Sequence, residues 1–248
     1  MAIQPPVIAG LPASSGMRER LIVALDVSTA AEAQKLVARI GDAAGIYKVG
    51  LQLFTAEGPS VVRDLISSGR RVFLDLKLHD IPTTVALAVK SAAELRVDML
   101  TIHGSGGSAM LRAATEAAAG RMKLLAVTVL TSLNDEDMQE IGVSGRVSDQ
   151  VLRMAALAQS AGCQGVVTSP RESLMVRKAL GEGFAIVTPG IRPAGAESND
   201  QERTATPAQA ISNGASHIVV GRPITHAADP AKAAAAIISE MEQARISR

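Results

Sequence analysis

RVFLDLKLHDIPTT, residues 71–84, carries two kinds of backbone signal in one short stretch. In its first half Val72, Leu74, Leu76 and Leu78 alternate with Phe73, Asp75 and Lys77, the period of two that sends side chains to opposite faces of a strand. Ile81-Pro82 then reads as the entry to a helix, because proline suits a first helical turn, where its missing N–H is no loss. A strand running into a helix is one β/α unit, and the same unit repeats in both directions along the chain.

Strands are expected at LIVALD (residues 21–26), IYKVG (46–50), RVFLDLK (71–77), DMLTIH (98–103), KLLAVTVL (123–130), GVVTS (165–169), FAIVT (184–188) and HIVVG (217–221). Between and after them, helical periodicity covers residues 30–40, 57–68, 83–95, 108–118, 147–161, 171–180, 207–213 and 230–244. Gly41, Gly69, Gly120, Gly162, Gly181 and Gly214 follow helices, where a left-handed cap suits glycine. Eight such units are too many for a flavodoxin-like sheet and predict an α/β fold of the closed (β/α)8 class, a TIM barrel. Residues 21–248 read as one barrel domain, and residues 1–20, broken by Pro5, Pro6 and Pro12, as a flexible tail that makes a poor signal peptide. The long connection at residues 189–206, rich in Gly, Pro, Asn and Asp, has the length of a binding loop or lid.

Composition excludes several classes of function. A net charge of +1 gives no footprint for nucleic acid or an anionic membrane, and three Phe, one Tyr and no Trp offer no platform for stacking bases. No apolar run reaches bilayer length. The single cysteine, Cys163, rules out a disulfide within the chain and points to a reducing, cytoplasmic location.

Polar residues recur where the expected strands end, the face on which barrels of this class build their sites: Asp26, Lys48, Asp75, Lys77, His103 and, just past strand five, Thr131 with Ser132. Each has a plain structural alternative. Asp26 could cap the first helix, Lys48 could extend to solvent, and Asp80 could cap the helix led by Pro82. His103, heading HGSGG, could orient its loop by hydrogen bonding, and no catalytic role is assigned to it. Asp75 and Lys77 are more specific. With the aliphatic face of their strand turned to the helices, both charges point into the barrel mouth, where charges are expensive unless paired or used. At the far strand ends, TPGIRP (residues 188–193) and VVGRPI (219–224) each set a glycine beside an arginine, suiting close backbone approach and a bidentate grip on phosphate.

These residues resemble the orotidine 5'-phosphate decarboxylase family from about Leu21 to Ala244. The DxKxxD pattern in DLKLHDIPTT is the most specific part. It is supported by ALD at Asp26, YKVG at Lys48, LTSL at Thr131, TPGIRP at Arg192, the segment with Gln201, and VVGRPI with Gly221 and Arg222. The resemblance implies decarboxylation of orotidine 5'-monophosphate to UMP in pyrimidine biosynthesis, without metal or organic cofactor, by a homodimer whose sites are shared across the interface. It further implies that Lys77 protonates the carbon losing CO2, that Asp75 lies against the substrate carboxylate, and that Lys48 and Asp80 complete an alternating Lys-Asp-Lys-Asp network. Asp80 would come from the other subunit. Asp26 would bind ribose, Thr131 would lie near the pyrimidine, and Arg192, Gln201, Gly221 and Arg222 would hold the phosphate end. The rest of the motif, Leu76, Leu78, His79, Ile81, Pro82, Thr83 and Thr84, is carried over as substrate-contacting.

Localised carbanion chemistry suits these residue types, since a fixed cation that also donates a proton serves both needs. Unit charges about 4 Å apart interact by roughly 4 kcal/mol at an effective dielectric near 20, enough for alternating charges to hold one another in place. Two other readings exist. Magnesium-dependent sugar-phosphate decarboxylases or aldolases of the same barrel superfamily also carry DxKxxD, but they use an acidic residue on strand two, where this chain has Lys48. A catalytically inactive nucleotide-binding barrel would be signalled by loss of Lys77 or Asp75, and both are present.

Overall fold

The structure, a computed structural model, describes residues 16–193 and 204–246. Eight parallel strands close into a barrel in chain order: β1 (Leu21–Ala24), β2 (Ile46–Gly50), β3 (Arg71–Leu78), β4 (Met99–His103), β5 (Lys123–Val127), β6 (Gly165–Val167), β7 (Ala185–Thr188) and β8 (His217–Val220). Closure is made by β8 against β1, with Leu21 opposite Ile218 and Val23 opposite Val220.

The helices are α1 (Ala30–Ile40), α2 (Leu51–Glu57), α3 (Pro59–Ser67), α4 (Pro82–Glu94), α5 (Gly107–Ala118), α6 (Asp135–Glu140), α7 (Val147–Ser160), α8 (Pro170–Leu180), α9 (Pro207–Ser212), α10 (Arg222–Thr225) and α11 (Pro230–Ile246). None among the described residues is long and apolar enough to cross a membrane. The expected helix over residues 57–68 is α3, opened by Pro59, and Gly58, at φ 64°, separates it from α2, for which no helix was expected. Met17–Arg20, placed in the tail by sequence, instead forms a 3-10 turn with Met17 buried. Arg20 ties that turn to the barrel by donating to the carbonyls of Ala215 and Ser216. Residues 1–15 of the expected tail lie outside the described residues.

Alternation along the strands divides the core in two. Ile22, Ala24, Ile46, Phe73, Met99, Leu125, Ala185, Val187 and Val219 fill the barrel interior, whereas Leu21, Val23, Val72, Leu74, Leu100, Ile218 and Val220 join the layer beneath the helices. The buried Phe73 ring is the largest side chain of the interior cluster, and burying such a side chain contributes about 1.5–3 kcal/mol. Directly above it on the same face of β3 stand Asp75 and Lys77.

Helix entries follow local chemistry. Thr29 caps α1 through a capping box with Glu32, and the buried Ala33, Val37 and Ile40 seat that helix. Pro82 starts α4, whose Val85, Val89, Ala92 and Ala93 are buried. At the end of the barrel away from the strand C-termini, Arg71 donates to Asp98 at 2.7 Å, and the buried His217 opens β8.

Candidate active site

Strands β1, β2 and β3 bring four charged side chains into a row. Lys48 Nζ donates to Asp26 Oδ1 at 2.9 Å and lies 3.8 Å from Asp75 Oδ2; Lys77 Nζ lies 2.9 and 3.0 Å from the two Asp75 oxygens. Lys48 and Asp75 are largely buried, with 12% and 13% of their side chains exposed, so Lys48 does not reach out to solvent. Asp26 does not cap α1, a task done by Thr29.

The row lines a cavity of about 270 Å3, close to the lower end of the range for small-molecule sites. Thr131, Gly190, Arg192, Gly221 and Arg222 also line it, Gly221 beside Asp26. Paired lysines and aspartates and two arginines therefore face one cavity. A larger hollow of about 510 Å3, lined by Arg146, Arg171, Glu136 and Glu172 among others, shares no residue with it. The convergence of strand-end charges favours the smaller one as the site.

The ladder between β3 and β4 is irregular at this point. Leu74 faces Leu100 and Leu78 faces Ile102, so three residues of β3 stand opposite Thr101 alone. Lys77 takes up the excess with φ at 49°, a left-handed conformation uncommon outside glycine. Thr101, fully buried, accepts from the Lys77 N–H at 2.8 Å and donates to Asp75 Oδ1 at 2.9 Å. The sequence reading passed over Thr101. Its one visible signal is a hydroxyl at an inward-facing strand position, two residues after Met99.

Other expected residues are not gathered into the cavity of this chain. Leu76 and Leu78 face the helical layer, and His79, Asp80, Ile81, Pro82, Thr83 and Thr84 are all exposed. Asp80 does not cap α4, whose N-cap is Ile81. Its carboxylate accepts the Ile81 N–H at 2.6 Å and makes no ion pair among the described residues. His103 accepts from the Ser105 N–H and meets Ser105 Oγ at 2.6 Å, and its ring stacks on His79 at 5.1 Å between centroids. Burial, then the neighbouring His79 and Lys77, holds the His103 pKa below its ordinary value.

The loop after β7 is tied at its base. Ile191 bridges Ala205, and the Arg192 N–H donates to the Ala205 carbonyl at 3.0 Å. Gln201 lies outside the described residues. Among the described residues no three His, Cys, Asp or Glu side chains cluster as a metal site.

Residues 19–237 match the model of the orotidine 5'-phosphate decarboxylase / HUMPS family. The chain belongs to this family. It is 51% identical to the orotidine 5'-phosphate decarboxylase of Moorella thermoacetica over 92% of this chain and 94% of that protein. It is 50% identical to that of Sodalis glossinidius over 90% of each. Among solved structures, the orotidine 5'-phosphate decarboxylase of Lactobacillus acidophilus superposes with a TM-score of 0.81 at 39% identity, covering 90% of this chain and 99% of that one. The orotidine 5'-phosphate decarboxylase / HUMPS fold thus accounts for the closed barrel, and the charged row occupies the strand ends where barrels of this kind do their chemistry.

Proposed function

We propose that this chain decarboxylates orotidine 5'-monophosphate to UMP, as the names of its relatives suggest, with Lys77 as the proton donor. The observation that carries the reading is the alternating row Asp26, Lys48, Asp75 and Lys77 along a cavity that Arg192 and Arg222 also line. Arginines suit the phosphate, which would anchor the nucleotide at a distance from the reacting carbon. At the other end the bond from ring carbon to carboxylate breaks, CO2 departs, and the electron pair left on carbon takes a proton from Lys77 Nζ. Solvent then reprotonates the amine. The fixed ammonium stabilises the developing carbanion before it donates, and Asp75 holds that ammonium in place.

Lys48 stands where the magnesium-dependent relatives would need an acidic ligand, and a divalent cation beside Lys48 and Lys77 would be repelled. Purified protein given orotidine 5'-monophosphate should therefore remove its ultraviolet absorbance at the same rate after dialysis against EDTA. No turnover would refute the assignment, and a loss restored by Mg2+ would move the chain to the metal-dependent branch. A cytoplasmic location belongs to the same reading, consistent with the buried, unpaired thiol of Cys163.

A homodimer with shared sites is also part of this proposal. Six consecutive exposed residues, His79 to Thr84, carry Ile81 at 66% exposure, and Leu87 further along α4 is 61% exposed, an apolar surface suited to a second copy. Asp80 would cross there to complete the partner's row. Inactive Lys77→Ala and Asp80→Ala chains, mixed with verified subunit exchange, would then regain about a quarter of wild-type activity, because half the dimers are mixed and half their sites are whole. Exchange without recovery would refute sharing.

A further inference from the structure

We propose that Thr101 is the positioning residue for the reaction, the single hydroxyl that fixes both Lys77 and Asp75. The inference rests on Lys77 being the proton donor. It starts from the misfit between β3 and β4, where Asp75, Leu76 and Lys77 face only Thr101. An excess of two residues removes regular ladder bonds and bends the strand. Lys77 absorbs the bend in a left-handed conformation that carries strain for a residue with a Cβ, and such strain persists only where the surroundings hold it.

The hydrogen bonds identify what holds it. A backbone N–H can only donate, so Thr101 Oγ1 accepts from Lys77, leaving its own hydrogen for Asp75 Oδ1. Both directions are fixed. Lys77 Nζ returns to the same carboxylate, which closes a ring from the Lys77 backbone through Thr101 and Asp75 to the Lys77 side chain. With Oδ1 tied to Thr101, Oδ2 is the oxygen left facing Lys48 at 3.8 Å. Thr101 is fully buried, so water does not reach it as a substitute, and it does not line the cavity. It acts through the two residues that do.

Thr101→Val keeps the shape and removes the hydroxyl; Thr101→Ser keeps the hydroxyl and removes a methyl. Since a displacement of about 1 Å in reacting groups can cost roughly a hundredfold in rate, kcat of Thr101→Val should fall by about tenfold or more. KM should stay within about threefold, because the phosphate arginines are untouched, and Thr101→Ser should retain most of the wild-type kcat. Unchanged kcat in Thr101→Val, a defect confined to KM, or a serine variant as slow as the valine variant would each overturn the proposal. If Thr101→Val does not yield folded protein, Thr101→Ala replaces it in the comparison with Thr101→Ser: at least about tenfold slower supports the role, and equal kcat overturns it. A wild-type protein without turnover would instead refute the decarboxylase reading itself, so the two failures are distinguishable.

Discussion

Lowering the pH should destabilise this protein through one buried imidazole. His217 opens β8 at the barrel end opposite the cavity, is 3% exposed, and has no hydrogen-bond partner on Nδ1 among the described residues. Burial, reinforced by the positive charges of Lys123, Arg20 and Arg71, lowers its pKa from 6.5 to about 3. The folded protein therefore keeps this ring neutral while an unfolded chain would protonate it near its ordinary value. Stability that is fully present above pH 6.5 is lost as the pH falls toward 3, because over that window the unfolded state binds the extra proton. At pH 4.5, about two units below the unfolded value, the loss amounts to about 2–3 kcal/mol at roughly 1.4 kcal/mol per unit. Urea titrations of wild type and His217→Leu at pH 7 and 4.5, at one protein concentration, separate this group from the carboxylates that titrate in both proteins. Wild type should lose about 2–3 kcal/mol more than the variant between the two pH values. Equal losses would show that His217 is either accessible to protons when folded or stabilised by a partner.

Lys77→Ala should lower kcat by at least about a thousandfold with the fold retained in circular dichroism, since general-acid catalysis alone spans roughly 10²–10⁴. Arg222→Ala should mainly raise KM, by about ten- to a hundredfold for one charge-assisted phosphate contact, as steady-state kinetics will read. In Gly50→Ala the new Cβ would lie 2.8 Å from Lys48 Nζ and push it from its place, so kcat should drop about tenfold while the urea midpoint barely moves. Arg177 is 8% exposed and donates to the carbonyls of Gly181, Phe184 and Gly214 and to Ser216 Oγ, so Arg177→Met, which leaves these acceptors without their donor, should cost about 1–3 kcal/mol or more in urea unfolding.

The barrel was legible because its two periods are clean: the inward Phe73 and outward Val72 and Leu74 sit as the alternation in RVFLDLK requires. Strand ends were less so. The fifth strand stops at Val127, three residues before the end of its apolar run, where Thr128 Oγ1 turns to the Val167 carbonyl. The short helices α2, α6 and α10 were missed because seven residues or fewer hold little periodicity, although the capping box of Asn134 with Asp137 marks α6. In the site, spacing disclosed Asp75 and Lys77 as neighbours on one face. It could not disclose the register slip beside them, since a non-glycine residue gives no sign in sequence that it will adopt a positive φ. Thr101 was hidden for the same reason: its task exists only because of that slip.

The closure of β8 onto β1 also joins the parts of the cavity that are furthest apart in the chain. Asp26, Lys48, Asp75 and Lys77 all lie between β1 and the end of β3, and their charges sum to zero, while Thr101, which is bonded to both Lys77 and Asp75, follows on β4. Arg192 follows only after β7, and Arg222 after β8, whose pairing with β1 brings Gly221 beside Asp26. The last strand in the chain is thus the one that brings the second arginine to the cavity. In chain order the charged row and its threonine come first, and the cavity gains its second arginine only with the strand that seals the barrel.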